Sequence, residues 1–146
     1  MAKTTTTEEA APDPRASAPG RLHHLALGAQ DVAGLARFYA EALGLAELQR
    51  HYHADGRLRS VWLDLGTGGA VLMIEEAAES PRVVSGIGAG LFLLAVQAPP
   101  GERPAVEQRL EAAGGRIEHR TEHSTYARDP EGHRVAVSSY PLPVRA

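Results

Sequence analysis

From Arg21 onward the spacing of apolar positions changes in a fixed order, and the order is used twice. HLALGAQ at 24–30 alternates every second residue, the period of a half-buried strand. DVAGLARFYAEALG at 31–44 then sets Val32, Leu35, Tyr39 and Leu43 near helical spacing, with Asp31 as N-cap and Gly44 as the stop. Strand-like segments follow at 46–54, 58–66 and 69–76, the first two joined by an Asp55-Gly56 turn. The cycle then restarts: LFLLAVQ at 91–97, a helix over 102–115 with Val106, Leu110 and Ala113 on one face and Gly114 at its end, then GRIEHR, STYARDPEG and HRVAVSSYP.

The two cycles superpose. HLALGAQ matches LFLLAVQ at a shift of 67, Gly44 matches Gly114 at 70, and Gly69 matches Gly132 at 63, so a three-residue insertion in the strand-to-helix loop is expected. Each cycle reads as a βαβββ module: module one over 21–76, a Pro/Gly/Ser-bearing linker over 77–90, and module two over 91–141. The fold class is therefore α+β, with two tandem modules whose strands form a curved mixed-sheet cleft. Residues 21–146 are expected to make one domain.

Composition narrows the partners. A chain of 146 residues with 23% charged residues and a formal charge of -3 has no basic block, which argues against nucleic acid and anionic lipid. Its apolar runs are too short to span a membrane. Residues 1–20, rich in Thr, Ala, Pro and acid without an apolar core, are expected to be a disordered tail rather than a signal peptide. With no cysteine, disulfides and thiolate metal sites are excluded, and a cytoplasmic setting is the expectation. No nucleotide, zincin or serine-hydrolase motif is present.

HHLALGAQD, FYAEALGL and DPEGHRVAV, in that order, resemble the His-bearing first strand, helix end and closing-strand turn of the vicinal oxygen chelate superfamily, which includes glyoxalase I, fosfomycin-resistance transferases, extradiol dioxygenases and bleomycin-resistance binding proteins. The resemblance runs from about Leu22 to Pro141 and implies a shared fold and cleft, but no single reaction. In metal-dependent members it implies ligands on the first and last strands of each module. Those positions fall here on His24, Met73, Leu91 and Ala136, so one donor of four remains. A tight transition-metal site normally needs at least three protein donors. No metal is therefore expected, and a divalent ion is retained only as the alternative in which His24, Glu75 and a third group such as His51, His53, His119 or His123 form a relocated site.

What remains is a pocket lined by His24, Trp62, Met73, Glu75, Leu91, Tyr126, Ala136 and Ser138, suited to an apolar organic guest. Tyr126 matches a tyrosine lining the site of fosfomycin-resistance relatives. His24, Glu75 and Tyr126 are the candidates for chemistry: Glu75 as a general base with its pKa raised beside Met73 and Leu91, His24 as a lone acid or base. Trp62 contributes an aromatic wall if its face looks inward and a packing or dimer contact if outward. His133 is assigned to the surface. The expectation is a metal-free binder of the bleomycin-resistance type or a metal-free enzyme, with a small-molecule ligand and, by resemblance, a homodimer. The alternative is a metal-dependent glyoxalase- or dioxygenase-type lyase, isomerase or oxygenase.

Overall fold

The computed structural model describes residues 19–66, 69–80 and 82–143, so nearly all of the expected tail lies outside it. Within them the chain runs β1 (His24–Ala29), α1 (Val32–Leu43), β2 (Glu47–Tyr52), β3 (Leu58–Asp64), β4 (Val71–Glu76), β5 (Leu94–Gln97), a 3₁₀ turn at Pro100–Glu102, α2 (Arg103–Ala112), β6 (Arg116–Arg120), β7 (Ser124–Arg128) and β8 (Arg134–Ser138). The strands form two mixed sheets with the same plan, β1-β4-β3-β2 and β5-β8-β7-β6, in which only the first pair of each is parallel.

The helix signals act as their chemistry requires. Asp31 accepts the Gly34 amide at 2.9 Å, satisfying an orphan N-terminal donor, and Gly44 ends α1 in the left-handed region at φ 70°. The apolar stripe of α1 is wholly buried: Leu35, Phe38, Tyr39 and Ala42 are 0–1% exposed. Burial of each large side chain contributes about 1.5–3 kcal/mol.

Strand β5 begins three residues later than the sequence pattern implied, at Leu94 instead of Leu91. Its partner explains this. Leu94 pairs with Val135, and β8 begins only one residue earlier, at Arg134 after the Asp129–Gly132 turn, so the strand offers at most one further residue to extend the ladder. Pairing also corrects the internal alignment. Ala26 lies opposite Met73 and Ala95 opposite Ala136, so the two first strands are related by a shift of 69, not 67. Against 70 at the helix ends, that reduces the expected three-residue insertion to one.

Both sheets give one face to a single core. Val61, Leu63, Leu72 and Ile74 from the first sheet, and Ala127, Val135 and Val137 from the second, join α1 and α2 in one cluster. Gly115 lets the modules approach: an added Cβ would lie 2.8 Å from the Leu110 carbonyl oxygen and 2.9 Å from the Phe38 ring.

A buried polar clasp fixes the same contact. Asp129, in the turn before β8, accepts the Tyr39 hydroxyl at 2.7 Å and contacts His133 Nδ1 at 2.8 Å through the same oxygen. Its other oxygen accepts the amides of Glu131 and His133. Glu131 in turn accepts the amides of Gln30 and Asp31 at 2.6 and 3.2 Å, where β1 passes into α1. The His133 ring is 20% exposed and the Gly28 carbonyl of β1 helps to raise its pKa, so this residue is part of the module contact, not the surface position expected. In the sequence it is simply a turn residue; only the packing of β1 against the turn encloses it.

The hydrogen bond to Asp129, then that carboxylate's charge, raise the His133 pKa, whereas burial and Asp129 push the Tyr39 hydroxyl far up. Because the folded chain holds the His133 proton to higher pH than the unfolded chain, the clasp contributes fully below the ordinary value of 6.5 and weakens as pH rises through the elevated one. Melting temperatures measured upward from about pH 6 are expected to fall for the native chain relative to His133→Gln; parallel curves would remove His133 from the clasp. In urea denaturation, Tyr39→Phe is expected to cost about 1.5–3 kcal/mol, the usual worth of a hydrogen bond to a charged acceptor.

Candidate functional site

Strand alternation assigns the faces. Since Val61, Leu63, Leu72 and Ile74 point into the core, Ser60, Trp62, Val71, Met73 and Glu75 take the opposite face of the first sheet with His24, Ala26 and Gly28. Trp62 is thus on the cleft face, directly opposite Met73. On the second sheet, Arg134, Ala136 and Ser138 share the corresponding face with Tyr126, which lies opposite Ala136. The two triplets Ala26–Met73–Trp62 and Ala95–Ala136–Tyr126 are equivalent in register, so Trp62 and Tyr126 are counterparts.

Within one chain these faces do not meet. Each sheet puts its other side into the shared core, so both cleft faces look outward, and His24, Ala26, Gly28, Ala95 and Gln97 are exposed. The expected pocket is therefore two half-sites. His24, Trp62, Met73 and Glu75 belong to one, Tyr126, Ala136 and Ser138 to the other. Leu91 belongs to neither: it precedes β5, is 85% exposed, and by strand pairing the counterpart of His24 is Leu93.

The polar groups differ in what they have to offer. Glu75 accepts the Ser60 hydroxyl at 3.0 Å. Ser138 accepts from Ser124 at 2.7 Å and from the Tyr140 amide at 3.1 Å. The Tyr126 ring stacks on His119 with centroids 6.1 Å apart, and its hydroxyl has no hydrogen-bond partner among the described residues. Trp62 is braced by His51, centroids 4.6 Å apart. His51 and His53 were expected to share a face, but a register irregularity after His51 separates them, and His53 instead bonds Glu76 beside Arg57.

The donor set does not fit the family's metal. The equivalent positions hold His24, Met73, Leu93 and Ala136, of which only His24 is a strong donor. Nor do relocated donors converge: His24 sits beside Val71 and Gly28 beside Glu75, which separates His24 from Glu75 by four residues, about 13 Å along the sheet. His24 Nδ1 instead lies 2.9 Å from His23 Nδ1. Within the chain, His119 on β6 packs against Tyr126, and His123 in the bend before β7 packs against Tyr140, both away from His24. No group of three His, Asp or Glu side chains is placed to hold an ion among the described residues.

Twin βαβββ modules with a shared core and one open face per sheet define a scaffold of the cleft-forming α+β class. The model of the Glyoxalase/Bleomycin resistance protein/Dioxygenase superfamily matches residues 21–137, and the chain belongs to that family. Among solved structures it is similar to TioX from Micromonospora sp. ML1, at 23% identity and a TM-score of 0.60 over 84% of this chain and 100% of that one. A mutant of the fosfomycin resistance protein FosX from Listeria monocytogenes, complexed with Mn(II) and 1S,2S-dihydroxypropylphosphonic acid, gives 17% and 0.69 over 84% and 94%. Lactoylglutathione lyase from Agrobacterium tumefaciens gives 24% and 0.58 over 83% and 94%. At these identities the likeness carries the fold alone. No curated protein shows significant similarity to the chain.

After incubation with Mn, Zn, Ni or Fe and desalting, elemental analysis is expected to find well under one equivalent of metal. One full equivalent that His24→Ala abolishes would contradict the donor count.

Proposed function

We propose that the protein binds a planar, largely apolar organic molecule without a metal, in a cup assembled from two copies of the chain. The observation carrying this is the equivalence of Trp62 and Tyr126 on two outward faces. When the first sheet of one copy meets the second sheet of another, two cups form by symmetry, each with an indole on one wall and a phenol on the other. Rings on facing walls suit a flat guest, stacking contributing about 0.5–1.5 kcal/mol per pair beyond burial. Met73 and Ala136 leave room between them, and the Tyr126 hydroxyl is available to orient a polar substituent.

The edges support the pairing. Strands β1 and β5 each border their sheet and carry no charged side chain in Leu25–Ala29 or Leu94–Gln97. The opposite borders, β2 and β6, carry Glu47 and Arg50, and Arg116, Glu118 and Arg120. Charged edges resist pairing, whereas uncharged ones invite a cover. Sequestration needs no activated water, so a binder in the cytoplasm fits a cup of this composition. Should the cup also catalyse a reaction, Glu75 with its Ser60 partner and His24 are the proton acceptors on its first wall.

Light scattering is expected to give twice the 15.5 kDa chain mass. Anilinonaphthalene sulfonate fluorescence is expected to show saturable binding that Trp62→Ala and Tyr126→Ala each weaken about tenfold, the loss of one stacking wall. A monomer, or binding indifferent to both substitutions, would refute the proposal.

A further inference from the structure

A cavity of about 160 Å³ lies at the seam where β1 passes the segment leading into β5; it borders the cleft faces through Ala26 and Arg134, but neither Trp62 nor Tyr126 lines it. Leu25, Leu27, Leu93 and Leu94 give it a hydrocarbon wall. Its charged lining is entirely cationic or imidazole: Arg82, Arg128, His133 and Arg134, with no acidic side chain among the lining residues. Two of these are committed elsewhere. Arg128 donates to the carbonyls of Gly132 and Val84 and lies 3.1 Å from Glu118, and His133 is held by Asp129.

The other two are not. Arg134 donates to the carbonyl oxygens of Gly86 at 2.6 Å and Val84 at 3.2 Å, and its charge acts on Glu118 without a direct ion pair. Arg82 has no hydrogen bond or ion pair with any described residue. A guanidinium beside apolar surface gains most from a carboxylate, which offers two charged acceptors to its planar fork. The segment that Arg134 holds has glycines at positive φ at Gly86 and Gly90, the backbone freedom an entrance needs.

We propose that this seam cavity is a separate site for a small apolar carboxylate, a single aromatic ring or short branched chain bearing one carboxyl group. Arg134 and Arg82 hold the carboxylate, Arg134 exchanging the strap carbonyls for it, while the leucines enclose the hydrocarbon. The volume sets the size, since a cavity of about 150 Å³ accommodates benzene.

Benzoate, with benzyl alcohol as its uncharged counterpart, is the probe, titrated into the full chain by two-dimensional NMR. Benzoate is expected to bind saturably near ~1 mM, a typical strength for so few atoms, with shifts at Leu27, Leu93 and Val84, and benzyl alcohol is expected to bind at least about tenfold more weakly. Arg82→Met, at an exposed position without partners among the described residues, is expected to weaken benzoate about tenfold, and Arg82→Lys to recover part of the loss. Leu93→Trp is expected to block the cavity, and Trp62→Ala to leave benzoate binding unchanged. Equal binding of the two probes, no saturable shifts, or benzoate binding that survives both Arg82→Met and Leu93→Trp would overturn the proposal. Loss with Trp62→Ala would do so too, by moving the site to the cup.

Discussion

The carboxylate of Asp129 is where the two modules are tied together. It is 4% exposed, takes the Tyr39 hydroxyl from α1 and the imidazole of His133, and anchors the turn whose Glu131 caps the end of β1. A buried acceptor of this kind is costly to leave unpaired, so the modules gain from remaining in this one relation. The relation has a geometric consequence. With both helices and the inner faces of both sheets committed to a common core, each sheet has only its outer face left for function.

The open faces in turn decide what the cleft residues can be. A pocket closed within one chain would have joined His24, Glu75 and Tyr126; instead Tyr126 lies on a different face from the other two. In the proposed cup, completion by a second copy would restore the pocket and would account for the uncharged strands at the two borders where such a copy would sit. Around His24 the register neighbours supply no second donor, and its own ring turns to His23.

Much of this was legible in the chain. The Asp31 cap, the Gly44 stop, the stripe through Leu35 and Tyr39, and the repeated hairpin around Gly69 and Gly132 each carry a local signal that tertiary structure had no reason to override. The start of β5 was not legible, because Leu91, Phe92, Leu93 and Leu94 are all apolar and alternation cannot set a register in a uniform run. Hence the shift of 67 and the misplacement of Leu91. The side taken by Trp62 follows from Val61 and Leu63 matching Leu72 and Ile74 on the core face, a comparison between strands instead of along one. His133 gave no such sign beyond its four-residue spacing from Asp129, since its role depends on a strand more than one hundred residues earlier.

The central claim, that each cup draws one wall from each of two copies, is tested most directly by mixing. Trp62→Ala and Tyr126→Ala chains are unfolded together, refolded and assayed for dye binding. If walls come from different copies, a mixed dimer carries one cup with both rings and one with neither, and about a quarter of all cups regain native affinity. If both walls come from the same chain, no cup is intact, and the mixture binds no better than the two variants kept apart.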